Sequence, residues 1–378
     1  MKKNILITGG AGFLGNALIQ QLLSQEHFVR AYDSLSTQVH GKFESNLVSI
    51  NQSNSNFEFI RGDVLDSSEM DRALEGVDTV VHLAADTGTG QSMYELQRYS
   101  NVNVTGTATL LERISKNRFP IKKIVLASSR AVYGEGKYSC PNHSVIFPDA
   151  RQAINMAQGI FSPLCPKCQN TLGLLPTDEE SRMNPNSIYG ITKLAQEQMV
   201  ITFGKTYEIP TIALRYQNIY GPGQSLRNPY TGILSIFSTR IRNKGRIEIF
   251  EDGLESRDFI FIDDVVGMTN IAILDDREMV QSFNLGSGTS TTVLEVIEKL
   301  EDRFEYQVEK HISGNFRLGD IRHNVADMSK YVKYFGRPNL TTFDAGLDCF
   351  VRWVQNQENV IDNYEKSISE LKENRLLK

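Results

Sequence analysis

The stretch Asn4-Ile-Leu-Ile-Thr-Gly-Gly-Ala-Gly-Phe-Leu-Gly15 decides the architecture of this chain. An apolar, β-branched run ends abruptly in Gly9-Gly10-Ala11-Gly12, and a helical pattern opens at Phe13 and Leu14. Strand, glycine turn and helix in that order let backbone approach an anionic group closely, with the helix N-terminus facing it. The spacing is Gly-x-x-Gly-x-x-Gly over Gly9, Gly12 and Gly15, which alone is compatible with a flexible turn. Asp33, eighteen residues beyond Gly15, closes the next apolar run. A carboxylate there suits the adenosine ribose hydroxyls of a dinucleotide and repels a 2′-phosphate. No Arg or Lys follows before Lys42, so the pattern predicts NAD in preference to NADP.

Further along, short apolar runs alternate with amphipathic ones. Strands are expected at Asn4–Thr8, Phe28–Tyr32, Phe57–Arg61, Thr79–Leu83, Lys123–Ala127 and Thr211–Arg215, and helices near Phe13–Gln25, Ser68–Glu75, Gln91–Asn117 and Ser187–Tyr207. Near-continuous apolar strands separated by helices imply an α/β fold, a Rossmann doubly wound parallel sheet covered on both faces. After Arg215 the order is less regular. It suggests a smaller, interleaved C-terminal substrate domain, with residues 1–217 binding NAD, 218–357 mainly the substrate, and about 257–274 returning to the core. Residues 358–378 are charged and read as a frayed helix or mobile tail.

The chain has 378 residues, and forty basic against forty-five acidic side chains leave net −5, which argues against nucleic acid as a partner. No apolar run reaches the ~18–20 residues that span a bilayer. The N-terminus enters a strand directly, without the pattern of a cleaved leader. Four cysteines in a chain of this length do not make a disulfide framework. These features predict a soluble, cytoplasmic protein that binds neither membrane nor nucleic acid.

Tyr-x-x-x-Lys occurs three times, at Tyr133/Lys137, Tyr189/Lys193 and Tyr306/Lys310. On a helix that spacing puts phenol and ammonium on one face, where the cation favours the phenolate. Two glycines interrupt the first pair, and the third lies in an alternating, strand-like segment. Only Tyr189 sits in a good helix former. Ser128 and Ser129 follow the strand Lys123–Ala127, at the sheet edge where doubly wound folds bind ligands.

At this point the chain resembles the extended short-chain dehydrogenase/reductases, the family of nucleotide-sugar epimerases and dehydratases. The resemblance rests on Thr8–Gly15, Gly62-Asp63-Val64, His82-Leu-Ala-Ala85, Asn103-Val-Thr-Gly-Thr107, Ser128-Ser-Arg-Ala-Val-Tyr-Gly134, Tyr189–Lys193, Leu214-Arg-Tyr-Gln-Asn-Ile-Tyr-Gly221 and Arg257-Asp-Phe259. It implies that Tyr189 is the acid–base, that Lys193 binds the nicotinamide ribose and lowers the Tyr189 pKa, and that Ser129 hydrogen-bonds the reacting sugar oxygen. It implies further that Asp63, Val64, Leu83, Ala84 and Asn103 lie along the cofactor. Asn218, Asn228, Tyr230, Arg257 and Arg317 match positions that hold the substrate. Arg257 read alone would instead pair with Asp258 or Asp252 on the surface. The resemblance also implies a homodimer through the Gln91–Asn117 and Ser187–Tyr207 helices.

Dehydratases of the family carry two carboxylates just after the catalytic hydroxyl, where this chain has Arg130 and Ala131. A 4-epimerase using a transient 4-keto sugar is therefore expected. The alternatives are a net NAD-linked reductase or dehydrogenase of a nucleotide-linked 4-keto sugar, and a non-catalytic dinucleotide-binding protein. More narrowly, Ala84–Tyr94, Ser129–Gly136, Gln217–Ser225 and Asn228–Gly232 resemble the dTDP-L-rhamnose 4-epimerase subgroup, which implies a 6-deoxy sugar and a place in polysaccharide biosynthesis. Between about 137 and 180 the alternation fails. Cys140-Pro-Asn-His143 and Cys165-Pro-Lys-Cys168 there form two knuckles separated by twenty-one residues, a set suited to structural zinc. The other reading is a polar loop with free thiols.

Overall fold

Successive side chains of a strand point to opposite faces of its sheet, so a run that is apolar throughout must be covered on both. The inner strands obey this. Ile5, Ile7, Val125, Ile212 and Leu214 belong to one core, whereas Leu6, Val80, Ile124, Leu126 and Ala213 belong to a second. The computed structural model, which describes residues 2–41, 54–228, 230, 232–358 and 362–378, builds these runs into one sheet. Its strands are β1 (Asn4–Thr8), β2 (Phe28–Asp33), β3 (Phe57–Arg61), β4 (Thr79–His82), β5 (Lys123–Ser129), β6 (Thr211–Tyr216) and β7 (Val280–Leu285). They run parallel in the order β7-β6-β5-β4-β1-β2-β3.

The main helices are α1 (Phe13–Ser24), α2 (Ser67–Leu74), α3 (Gly106–Lys116), α4 (Ile188–Tyr207), α5 (Ile262–Leu274), α6 (Val293–Phe304), α7 (Phe343–Gln355) and α8 (Tyr364–Glu373). Leu18 and Leu22 of α1 and Val265 and Met268 of α5 fill the first core. Met70 of α2, Leu110 of α3 and Val200 of α4 fill the second. The strand order reverses between β1 and β4, which opens a crevice at their C-terminal ends. Gly9 turns there at φ +71°, and a Cβ on it would lie 2.8 Å from the Ala84 nitrogen. Only glycine lets β1 and the end of β4 approach so closely.

Several elements differ from the sequence reading. The expected helix over Gln91–Asn117 is broken into Thr89–Ser92, Leu96–Tyr99, a π-helical turn at Ser100–Thr105 and α3. The run near Phe283, read as part of the smaller domain, is β7 and extends the central sheet beside β6. Tyr306 lies between α6 and the short strand Lys310–Ile312, outside any strand. The C-terminal segment, read as a frayed helix or mobile tail, contains the helix α8, which buries Tyr364, Ile368 and Leu371, joined by Leu377, against Ile236 and Phe250. The segment 137–180 holds a small antiparallel sheet of Tyr138–Cys140, Ser144–Ile146 and Gly173–Leu174. Among the described residues, no helix is long and apolar enough to cross a membrane.

One buried carboxylate joins many of these parts. Glu197 of α4 accepts from Ser128 at the end of β5, from Ser282 of β7 at 2.8 Å, and from the Arg215 guanidinium of β6 at 2.6 Å. Arg215 also donates to the Tyr133 hydroxyl at 2.7 Å and to the Glu179 carbonyl at 3.0 Å. Burial opposes ionisation of Glu197, but Arg215 and the two serines hold its carboxyl below the usual range. Arg215→Met leaves that charge buried without its partner and should cost about 3–5 kcal/mol of stability by chemical denaturation. Adding Glu197→Gln to it should cost less than the two single losses summed, because the residues share one network.

Candidate active site

The crevice above β1 and β4 widens into a cavity of ≈ 1040 Å³. Its walls include Gly9, Gly12, Phe13, Leu14, Gly15, Asp33, Asp63, Val64, Leu83 and Ala84 along one arm. Ser129, Tyr189 and Lys193 stand at its middle, and Asn218, Asn228 and Tyr230 line its far side. Most of the residues singled out in the sequence therefore share one space. Asn103, Arg257 and Arg317 do not line it.

On the first arm, Asp33 takes one backbone hydrogen bond on each carboxylate oxygen, from Ala11 at 3.0 Å and Leu35 at 2.8 Å. That ties the acid to the glycine turn and leaves further lone pairs toward the cavity. Tyr32 supports the floor, its hydroxyl donating to the Asp63 carbonyl at 2.6 Å.

In the middle, α4 starts at Ser187, whose hydroxyl caps it by accepting from the Gly190 nitrogen. A Cβ on Gly190 would meet the Ala131 carbonyl oxygen at 2.6 Å, so glycine lets the first turn of α4 press onto the turn after Ser129. This contact brings Tyr189 beside Ser129. Burial raises the Tyr189 pKa, while a hydrogen bond with Ser129 and the Arg130 charge pull it back.

A cation that acts on the phenol is thus Arg130, a residue outside the Tyr-x-x-x-Lys motif. Lys193 instead donates to Gln196 Oε1 at 2.8 Å, and burial pushes its pKa down to about 7 against the pull of Glu197. Behind it runs a buried polar chain. Thr107 gives its one proton to the Asn103 carbonyl, so it accepts from Gln196 at 2.7 Å and from His82 Nε2 at 2.9 Å. His82 is then protonated on Nε2 and accepts from Thr8 on Nδ1, at 2.7 Å. Burial and Lys193 keep that imidazole neutral, with its pKa at about 3. Asn103 accepts from the Asp86 nitrogen, donates to the Asp86 carbonyl and to Thr192, and positions the Asp86 loop.

Arg257 makes none of the expected surface pairs. Its guanidinium is buried and donates to the carbonyls of Ser256, Ile321 and Arg322. Arg317 pairs with Asp320 at 2.6 Å and lies over Phe250. Burial opposes ionisation of Asp320, yet Arg317, Arg257, Arg130 and Arg151 together hold its carboxyl at about 2. Four guanidiniums gather around this one carboxylate, and Glu135 and Glu251 offset part of their charge through Arg151.

The sequence reading missed the contribution of α8. Its Glu370 accepts from Tyr94 at 2.8 Å and from Tyr230 of the cavity wall. The apolar spacing Tyr364, Ile368, Leu371 is the signal that was available for it. Arg98, gripped by both carboxylate oxygens of Asp86 at 2.8 Å, also lines the cavity and was not anticipated.

In the insertion, the ligand atoms of Cys140, His143, Cys165 and Cys168 all lie within 4.8 Å of one another. The Cys140 sulfur is 3.6 Å from His143 Nδ1 and 3.6 Å from the Cys168 sulfur, and the Cys165 sulfur is 3.5 Å from Nδ1. None of the three cysteines is in a disulfide. Burial opposes ionisation of the Cys165 thiol, but the backbone amides of Lys167 and Cys168 pull its pKa down to about 6.

Residues 5–152 and 164–286 match the NAD dependent epimerase/dehydratase family. The dTDP-L-rhamnose 4-epimerase of Burkholderia thailandensis is 34% identical over 360 residues, 94% of this chain and 96% of that protein. Among solved structures, UDP-glucuronic acid 4-epimerase from Bacillus cereus, in complex with UDP-glucuronic acid and NAD, superposes with a TM-score of 0.76 at 25% identity. That match covers 93% of this chain and 99% of the other. UDP-glucose 4-epimerase of Thermotoga maritima, with UDP-glucose, gives 0.73 at 28% identity over 93% and 98%. By sequence and by fold, the chain belongs to the NAD dependent epimerase/dehydratase family.

Proposed function

We propose that the chain is an NAD-dependent 4-epimerase of a nucleotide-linked 6-deoxy sugar of the dTDP-L-rhamnose type, working in the cytoplasm through a transient 4-keto sugar. The observation that carries this is the convergence of Tyr189 and Ser129 in the cavity, with Arg130 and Ala131 where a dehydratase needs carboxylates. The glycine turn and Asp33 fit a dinucleotide, since a side chain on Gly9 would close the crevice and Asp33 keeps lone pairs free. NAD, when bound, supplies a hydride acceptor that is regenerated within each turnover.

In this reading residues 1–217 hold NAD and residues 218–357 mainly the nucleotide sugar. The glycine-turn amides take the pyrophosphate, Asp33 the adenosine ribose, and Lys193 the nicotinamide ribose. Tyr189 accepts the proton of the C4 hydroxyl as that carbon is oxidised, and returns it when the ketone is reduced on its other face. Ser129 hydrogen-bonds the same oxygen. Asn218, Asn228 and Tyr230 hold the sugar nucleotide, and Arg257 and Arg317 add positive potential for its diphosphate. Leu96, Ile191 and Tyr207 leave apolar side chains exposed near the helices expected to form a homodimer. The cofactor set includes one structural zinc in the insertion. Bond lengths of about 2.3 Å to sulfur and about 2.05 Å to nitrogen give tetrahedral edges of about 3.8 Å between sulfurs and about 3.6 Å from sulfur to nitrogen. The knuckle's spacings of 3.5–3.6 Å support a site of that size.

Purified protein given dTDP-L-rhamnose and no added cofactor should form the C4 epimer by NMR. A requirement for one added NADH per turnover would mark a reductase instead. Tyr189→Phe should lose about 10²–10⁴-fold in kcat while keeping its bound NAD.

Tyr189 must be ionised to take the proton, so kcat/KM should rise with pH on the alkaline side. Arg130→Gln removes the cation that favours the phenolate and should move that limb to higher pH. A limb that stays in place would remove Arg130 from the tuning.

Metal analysis of protein purified without added chelator should find about one zinc per chain. No metal in either fresh or zinc-supplemented protein would defeat the four-ligand site.

A further inference from the structure

The insertion lies between Ser129 and Tyr189 in the chain, yet its contacts reach Glu251 and residues 316–327, in the second lobe that the chain beyond β6 forms outside the central sheet. Arg151 is 3% exposed at its side chain and makes four hydrogen bonds. It donates to Glu135 at 3.2 Å, to the Phe161 carbonyl at 3.0 Å, to Glu251 at 2.8 Å and to the Asp320 carbonyl at 3.1 Å. Glu135, on the stem of the insertion, accepts from the Arg322 nitrogen at 2.9 Å. Met156 and Phe161 pack with Phe316 in a small apolar cluster. Where the insertion returns, the Thr177 nitrogen donates to Val325 and the Thr177 carbonyl accepts from Asp327, both at 2.9 Å.

Segment 316–327 is thus held on one side by the insertion, and on the other by the C-terminal residues Leu376 and Lys378 and by Ser256 and Asp258. The same segment carries Arg317 and Asp320, and its carbonyls hold the Arg257 guanidinium. The insertion has little apolar material to order itself, its own core being Tyr138, Cys140, Ile146, Cys165 and Leu172. Two of those five residues belong to the Cys/His knuckle. A loop of this length that lacks a clip faces a large ordering cost.

We propose that residues 137–180 are a zinc-clipped brace, in which the Cys140/His143/Cys165/Cys168 site anchors a strut whose Arg151 holds segment 316–327 of the second lobe in register with the central sheet. The metal works at a distance from the reaction, by fixing the loop that carries the arginines of the substrate end. This rests on the zinc reading above and is independent of which sugar is bound.

Hydrogen exchange followed by mass spectrometry on the full chain, zinc-loaded and chelated, tests it with no substrate present. Zinc removal should speed exchange by about tenfold or more in residues 138–174 and in 316–327, while β1–β4 keep their protection. Arg151→Met, with its zinc content unchanged, should loosen 316–322 and raise the Kd for deoxythymidine diphosphate without loss of bound NAD. Acceleration confined to the insertion in both proteins overturns the brace. Identical exchange in the zinc-loaded and chelated forms overturns the metal's part in it. Should the chelated protein fail to fold, Arg151→Met decides alone. A wild type that does not bind the diphosphate counts against the proposed substrate, and exchange at 316–327 still decides the brace.

Discussion

The Glu197 carboxylate is the constraint on which the site depends. Buried on α4, it accepts at once from β5, β6 and β7, so the helix has only one position on the sheet that satisfies it. Two turns earlier on the same helix stands Tyr189, and one residue beyond Ser128 stands Ser129. A buried anion tolerates little displacement, because each lost donor leaves desolvation uncompensated. The register that neutralises Glu197 is therefore the register that sets phenol against serine hydroxyl.

Charge is distributed with the same economy. Lys193 and Tyr189 share a helix face, yet burial strips the ammonium of much of its tendency to ionise, and its proton is directed to Gln196. The Arg130 charge also acts on the phenol, although burial pulls that guanidinium's own pKa down to about 10. The Asp320 carboxylate gathers arginines from the turn after β5, the insertion and two segments of the C-terminal half. Most of those guanidiniums are already committed to backbone carbonyls or to carboxylates, which makes them a rigid source of potential more than a set of free donors.

The insertion and α8 both show chain segments far from the motifs shaping the cavity. One supplies Arg151 to the loop behind the substrate end, the other supplies Glu370 to Tyr94 and Tyr230. Neither segment carries much of the central core. α8 holds the wall residue Tyr230, whereas the insertion holds the Asp320 carbonyl behind the wall.

Read alone, the sequence determined the elements whose side chains obey a period: β1 to β6, α1, α2 and α4, the parallel sheet, the glycine turn, Asp33, and the choice of Tyr189 among three equal spacings. These follow from local physics, since apolar alternation, capping by Ser187 and the glycine requirement at Gly9 are all written within a few residues. It left the Gln91–Asn117 helix unbroken, missed β7 as part of the sheet, and read the C-terminal segment as a frayed helix or mobile tail without its packing. The tertiary structure alone decided that the Arg130 charge acts on the phenol, that Arg257 and Arg317 surround Asp320, and that Cys140, His143, Cys165 and Cys168, twenty-eight positions apart at their extremes, close into one cluster. Such pairings join residues remote in the chain, and their energies depend on burial and mutual distance, which no local pattern encodes.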